Sequence, residues 1–260
     1  GTSQVVLTLG LVAGGAMLFG WDAAPAVILG GLVAMSSTAL VMRQLADRGQ
    51  VDSPHGQLAV AILILQDLSI VPLLLLIPLL AAAGNSSVGD LALSSVQLVI
   101  ALGVVLAVVR FVVPRVLARA ARARSSDLFS LLAVLVVLGS AFFAEQLGLT
   151  LAVGAFLAGV AASTSPYAHQ LFSEVVPLRG VLLGVFFTAV GMLFDPHVLV
   201  DHTAFVAVYL VVTVGLKGLI VTLASVLLLR QSLRIGVMAG LALAQTGEFT
   251  FVLAEAARQA

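Results

Sequence analysis

The sequence has no cysteine among its 260 residues, so neither a disulfide framework nor a thiolate metal site can form. Charge is also scarce: Asp, Glu, Lys and Arg make up 9% of the chain, whereas soluble domains carry about 25%. The formal net charge is zero, which gives no indication of a nucleic-acid or acidic partner. With 61% hydrophobic residues and a mean hydropathy of +1.21, the chain cannot hide its apolar surface from water. These features predict an integral helical membrane protein.

Histidine is rare too, and no HExxH-like pair is present. An intramembrane hydrolase would need an activated nucleophile and base or a metal set. An ion channel would be expected to show a carbonyl-lined filter motif or rings of like charge, and neither occurs. The four histidines fall in predicted loops and are interpreted as surface residues: His55, His169, His197 and His202.

Turn residues and charges divide the apolar sequence into nine candidate membrane helices. Pro72 and Pro78 fall in the third helix, which a membrane helix tolerates with a kink. The connection at 166–179 contains two prolines, Glu174 and Arg179, and is predicted to be an interfacial segment. The nine predicted helices are 3–20, 25–43, 56–80, 90–118, 126–146, 149–165, 180–195, 203–229 and 234–258.

Arginine is distributed unevenly between the two sets of loops. An odd number of spans puts the chain ends on opposite sides, and cytoplasmic loops carry the excess of Lys and Arg. The opposite loops and the C-terminal tail hold only Arg258, so the arginine-rich side and Gly1 are predicted to be cytoplasmic. The run at 110–124 is interpreted as a membrane-edge anchor. Ten arginines fall on that side: Arg43, Arg48, Arg110, Arg115, Arg119, Arg122, Arg124, Arg179, Arg230 and Arg234.

Three ionisable residues lie near the middle of predicted spans: Asp67, Lys217 and Glu248. A charge at bilayer depth costs at least about 2.5–3.5 kcal/mol on insertion scales, so each needs a partner or a wet cavity. Asp67 and Lys217 could form a transport site or a static ion pair that clamps two helices. Glu248 could act in the site or could satisfy backbone donors in a broken helix.

Two polar interruptions break the apolar helices. One is "SST" in the second predicted helix, and the other is "QTGE" in the ninth. Such segments are typical of discontinuous helices, in which side chains solvate freed backbone groups. By orientation, helices eight and nine with one further helix would form an inverted copy of helices one to three. The sequence stops one helix short of that repeat and opens without Met, so we expect a fragment.

At these residues the chain resembles the Kef-type members of the monovalent cation:proton antiporter family, which belong to the sodium/hydrogen exchanger transmembrane class. The resemblance implies an all-α polytopic inverted-repeat antiporter fold of about 13 helices with two discontinuous crossing helices, of which nine are present. The similar segments, in family order, are "SSTALVMRQLADRG" at 36–49, "LQDLSIVPLLLLIPLL" at 65–80, "GLTLAVGAFLAGV" at 148–160, "LRGVLLGVFFTAVGMLFD" at 178–195, "LKG" at 216–218 and "LALAQTGEFTFVLA" at 241–254.

The resemblance implies a role for each matching residue. Asp67 corresponds to the aspartate that carries the cation and the proton, with Gln66 just before it, and Lys217 to its charge partner. It also implies three regions: first core-repeat helices at 1–80, linker, scaffold and dimer helices at 81–195, and second core-repeat helices at 196–260, with the last helix missing. The crossing-helix polar residues are Ser36, Ser37, Thr38, Gln245, Thr246, Gly247 and Glu248.

The implied function is secondary active exchange of a monovalent cation for H⁺ at buried Asp67, by alternating access. K⁺ is favoured through the Kef resemblance and Na⁺ is the second choice. One carboxylate suggests electroneutral exchange. The alternative is a channel-like potassium-efflux conduit in which Asp67 and Lys217 form a structural ion pair. No enzymatic activity and no cofactor are expected, only the transported K⁺ or Na⁺ and H⁺.

The expected surroundings follow from the same resemblance. The partners are the lipid bilayer, a second copy of the chain in a homodimer, and a cytosolic nucleotide-binding regulatory domain in the full-length protein, with no nucleic acid. The expected location is the bacterial cytoplasmic membrane. We expect the fragment to be inactive alone.

Overall fold

A computed structural model describes residues 1–83, 88–122 and 126–259, and in these ranges the protein is helical without strands. Long apolar segments fold this way because a helix satisfies its own backbone polar groups where water is absent. The prediction of an all-α polytopic membrane protein is confirmed. The helices are α1 (Thr2–Leu18), α2 (Ala23–Ala34), α3 (Thr38–Asp47), α4 (Pro54–Ala83), α5 (Val88–Arg122), α6 (Ser126–Gln146), α7 (Leu151–Ser163), α8 (Ala168–Met192), α9 (His197–Asp201), α10 (Thr203–Val211), α11 (Lys217–Leu227), α12 (Leu233–Leu243) and α13 (Phe249–Gln259).

Six helical segments of the described chain are long and apolar enough to cross a membrane. One of them, Ala23–Asp47, contains α2, α3 and the non-helical residues between them. Three shorter apolar helices, α1, α7 and α12, accompany these spans. The other five long segments are Pro54–Ala81, Ala92–Arg119, Leu128–Gln146, Ala168–Met192 and Thr203–Leu227.

The region before the seventh predicted helix differs from the prediction. The segment at 166–179 is not a separate connection, because α8 begins at Ala168 and continues through Pro177 to Met192. Proline removes one helical hydrogen bond, but a long apolar helix tolerates this loss with a local distortion. Arg179 therefore lies inside a helix and not in a loop. Arg124, another residue of the arginine-rich set, lies outside the described residues.

The eighth predicted helix contains a feature that the sequence did not indicate. Between α10 and α11, residues Val212–Leu216 form a π-helical turn, and Lys217 follows it directly. A π-turn inserts one extra residue into an α-helix and is frequent at functional sites. Lys217 is therefore the first α-helical residue after an irregular turn.

The chain forms two compact units. The first contains α1–α4 and α9–α13, and its buried core includes Val41, Ile62, Val221 and Leu243. The second contains α5–α8, in which a Cβ at Gly154 would lie 2.4 Å from Ser140 O. These units divide the chain close to the predicted regions, whose assignment to core repeats and scaffold stays a prediction.

Candidate functional site

The first of two helix breaks separates α2 from α3 at Met35–Ser37. Met35 and Ser37 are extended, with φ/ψ of −80°/140° and −77°/107°. The Ser37 hydroxyl accepts a hydrogen bond from Leu40 N and so caps the start of α3. Serine favours this position because its side chain competes with the helix for backbone donors. The predicted discontinuity at 36–38 therefore has a local cause.

The second break separates α12 from α13 at residues 244–248. Gly247 lies against the first break, where an added Cβ would be 2.5 Å from Ser36 O and 2.8 Å from Ser37 N. Only glycine allows the two backbones to approach this closely. The structure thus brings together the two polar interruptions, which are about 200 positions apart in the sequence.

Hydrogen bonds join the two breaks directly. Ser36 Oγ donates to Leu243 O at 2.9 Å, and Ser37 N donates to Gln245 Oε1 at 2.9 Å. A third bond runs from Thr250 Oγ1 in α13 to Leu32 O in α2 at 3.2 Å. Each bond satisfies a backbone group that the end of a helix leaves without an intrahelical partner.

Lys217 is completely buried and joins the two breaks from a third helix. Its Nζ donates to Met35 O at 2.7 Å and to Gln245 O at 2.8 Å. These carbonyls follow the C-terminal ends of α2 and α12, where the helix dipole favours a positive charge. Lys217 therefore stabilises both breaks through the main chain. Its predicted role as the charge partner of Asp67 stays a prediction.

Asp67 lies on α4, next to the residue at which α3 begins, and is half-buried. Thr38 Oγ1 is 3.1 Å from both Asp67 Oδ1 and Asp67 Oδ2 and donates its proton to this carboxylate. Thr38 is the first residue of α3, so the carboxylate faces the helix end whose dipole favours negative charge. This geometry holds a carboxylate beside the break and leaves it partly exposed.

Gln66 is fully buried beside Asp67 and contacts the same break. Its Oε1 accepts from Ser36 N at 2.9 Å, and its Nε2 donates to Gln4 Oε1 at 2.7 Å. Gln4, on α1, is a buried site residue that the sequence reasoning missed. A signal was present: Gln4 and Thr8 are four residues apart in an apolar helix and therefore share one face.

Glu248 and Thr246 lie in the second break. Both are half-buried, and Thr246 takes no part in the links between the breaks. Glu248 Oε2 is buried and has no hydrogen-bond partner in the described part of the chain. The Oγ1 atom of Thr213, in the π-turn, is also buried and has no hydrogen-bond partner within the described residues. Buried polar atoms without partners are uncommon in folded proteins and concentrate at functional or hydrated positions.

Oxygen atoms of three kinds lie around the first break. Asp67 contributes a carboxylate, Thr38 a hydroxyl and Gln66 a side-chain amide oxygen. Neutral oxygens can replace the lost hydration shell of an alkali cation. No cluster of three or more His, Asp or Glu side chains suited to a metal ion occurs within the described ranges.

A family model described as "Sodium/hydrogen exchanger, transmembrane" matches residues 1–260, the whole sequence. The match covers both breaks and the helices that carry Asp67 and Lys217.

Proposed function

The chain belongs to the sodium/hydrogen exchanger family, a family of cation:proton antiporters, and from this premise we propose that Asp67 is the carboxylate at which the cation and the proton compete. The observation that carries the proposal is the position of its side chain. It is half-buried and bound to Thr38 where α3 begins. The family favours exchange over a channel-like conduit, and its members are transporters and not enzymes.

Exchange is possible because the carboxylate binds only one of the two ions at a time. A carboxylate of this kind holds either a proton or a partly dehydrated cation, because binding one neutralises the charge that attracts the other. Thr38 and Gln66 supply neutral oxygens that offset part of the lost hydration. Exchange results when the loaded site is exposed alternately to the two sides of the membrane.

The cation and the stoichiometry are finer parts of the proposal. K⁺ is the preferred cation through the Kef-type resemblance, with Na⁺ second. A single carboxylate at the first break supports the exchange of one cation for one proton, which is electroneutral. Lys217 stays the proposed charge partner of Asp67, and its ammonium group binds the carbonyls of Met35 and Gln245. Thr246, Gly247 and Glu248 stay proposed as polar residues of the second crossing helix, at the second break.

The location and partners are proposed on the sequence pattern. The chain is a multi-pass membrane protein. The arginine-rich segments, including Arg48 and the C-terminal part of α5, favour a cytoplasmic position for the side that also holds Gly1. We place the protein in a bacterial cytoplasmic membrane as a homodimer. A cytosolic nucleotide-binding domain is the proposed regulatory partner in the full-length protein.

Transport in proteoliposomes tests the proposal. A K⁺ or Na⁺ gradient is imposed across liposomes that contain the full-length protein, and proton flux is followed with a pH-sensitive dye. Wild type is compared with Asp67→Asn and with Asp47→Asn, a matched control at the exposed end of α3. We expect cation-driven flux in wild type and the control, and flux at the level of empty liposomes in Asp67→Asn.

Two results would contradict the proposal. Flux that survives in Asp67→Asn would reduce this carboxylate to a structural group. Cation movement without proton movement would indicate a conduit. Measurement of the membrane potential in the same liposomes tests the stoichiometry, because electroneutral exchange leaves the potential unchanged.

A further inference from the structure

A continuous chain of buried hydrogen bonds runs from α1 to the first break. Gln4 Nε2 donates to Thr8 Oγ1 at 3.1 Å and to Ala34 O at 3.2 Å. Gln4 Oε1 accepts from Gln66 Nε2 at 2.7 Å, and Gln66 Oε1 accepts from Ser36 N at 2.9 Å. Gln4 and Gln66 are 1% and 0% exposed, so water does not compete for these bonds.

The two ends of this chain have fixed polarity. Ser36 N is a main-chain donor, so the Gln66 atom that faces it must be the carbonyl oxygen. Ala34 O is a main-chain acceptor, so the Gln4 atom that faces it must be the amide nitrogen. The remaining two atoms, Gln4 Oε1 and Gln66 Nε2, then form a matched pair. Each side-chain amide has only one orientation that satisfies both of its neighbours.

We propose that Gln4 is a positioning residue of the cation site. It fixes the orientation of the Gln66 amide so that Oε1 faces Ser36 N in the first break. This inference rests on the proposed function, because Gln66 matters for transport only if the cation binds at Asp67. Gln4 itself does not touch the cation. It acts by making the reversed amide costly, since reversal would place Gln66 Oε1 against Gln4 Oε1.

Gln4 also binds the backbone at the end of α2. Ala34 is the last residue of α2, and its carbonyl is one of those that a helix end leaves without an intrahelical partner. Gln4 caps Ala34 O, while Lys217 caps the next carbonyl, at Met35. Gln4 thus holds the end of α2 and the Gln66 amide together.

The first test compares the apparent cation affinity and the maximal rate of transport in the proteoliposome assay. Gln4→Leu removes both the donor and the acceptor at similar side-chain size. We expect its Km for the cation to rise by about 3- to 10-fold, the equivalent of one lost buried hydrogen bond, with the maximal rate nearly kept. Ser225→Ala is the control, because Ser225 is buried on α11 and its hydroxyl bonds to Val221 O in its own helix.

A second variant separates positioning from packing. In Gln4→Glu, a protonated carboxyl group can donate to Ala34 O and accept from Gln66 Nε2, whereas an ionised one can only accept. The ratio of the variant's Km to that of wild type is therefore expected to rise with pH. Filling space alone would give a ratio that does not depend on pH. This variant is close in shape to the native residue and serves if Gln4→Leu does not fold.

The outcomes separate the two proposals. An unchanged Km in Gln4→Leu, or a pH-independent ratio in Gln4→Glu, would overturn the positioning role while Asp67→Asn still abolishes transport. A reduced maximal rate with an unchanged Km would also overturn it, because that pattern indicates a structural role. If Asp67→Asn transports like wild type, the proposed function fails, and the positioning role of Gln4 fails with it.

Discussion

The two helix breaks meet at the site but are built differently. The first, Met35–Ser37, and the α2 residue before it are bound by side chains from three other helices: Gln4 of α1, Gln66 of α4 and Lys217 of α11. The second, residues 244–248, is bound by Lys217 at Gln245 O, contributes the Gln245 side chain to the first break and keeps a buried Glu248 oxygen without a partner in the described chain.

This difference supports a division of tasks between the two breaks. The first has its backbone groups matched to specific donors and acceptors, and Asp67 with its Thr38 contact lies beside it. The second approaches it through Gly247. A binding site needs ligands that are held in fixed positions, so we propose that the first break supplies the ligands of the cation. The following variants test this comparison, from the largest expected effect to the smallest.

Lys217→Ala removes the side chain that binds both breaks. We expect a loss of about 2–4 kcal/mol in the free energy of unfolding, since two buried carbonyls lose their donor while the cost of burying an ammonium is relieved. Denaturant titration of the purified protein in detergent measures this loss. Ser225→Ala on the same helix is the control and should change stability little. A Lys217→Ala variant as stable as that control would show that Lys217 does not hold the breaks together.

Gly247→Ala places a methyl group against the first break, where a Cβ would lie 2.5 Å from Ser36 O. We expect a loss of about 1–3 kcal/mol in the free energy of unfolding, because the backbone there must move apart. Gly14→Ala is the matched control, since a Cβ at Gly14 would meet nothing within 4 Å. Equal effects of the two substitutions would contradict the close approach of the breaks.

Ser36→Ala and Gln245→Ala, alone and together, measure the direct coupling of the two breaks. Ser36 binds Leu243 O, and Gln245 binds Ser37 N. Each single variant should lose about 0.5–1.5 kcal/mol in the free energy of unfolding. The double variant should deviate from their sum by about 0.5 kcal/mol or more, because neighbouring contacts are not additive. Strict additivity would indicate that the breaks do not cooperate.

Glu248→Gln tests the second break with the smallest expected effect. Since no described donor binds Oε2, we expect the free energy of unfolding to change by less than about 0.5 kcal/mol. Cation-driven proton flux should also persist, in contrast to Asp67→Asn. Loss of transport with unchanged stability would show that the second break also carries the proton, and the division of tasks would then be wrong.

The sequence predicted much of the fold because lipid leaves few alternatives for an apolar chain. The spans that carry Asp67 and Lys217 lie where the pattern placed them, and the helix breaks at Met35–Ser37 and 244–248 overlap the predicted interruptions at 36–38 and 245–248. The beginning of α8 was predicted wrongly. Proline often marks the end of a helix, but this long apolar helix contains Pro177. Membership of the exchanger family is confirmed, whereas the Kef-type specificity stays a prediction.

Parts of the site could not be read from sequence. The spacing of Gln4 and Thr8 indicates a polar face on an apolar helix, but only the folded structure shows that Gln4 binds Ala34 O and Gln66 Nε2. The π-turn before Lys217 had no signal in the sequence pattern. The two main-chain acceptors of Lys217 could not be predicted either. Sequence reasoning pairs charges with charges, whereas here the ammonium group binds backbone oxygens.

Proton release on cation binding tests the central claim most directly. Purified protein in detergent is titrated with K⁺ or Na⁺ in buffers of different ionisation enthalpy, and calorimetry gives the number of protons released per cation bound. At a pH at which the site is protonated before the cation binds, we predict a release close to one proton for wild type and for Asp47→Asn, and none for Asp67→Asn. Cation binding without proton release in wild type across the titrated pH range, or release that persists in Asp67→Asn, would contradict competition at this carboxylate.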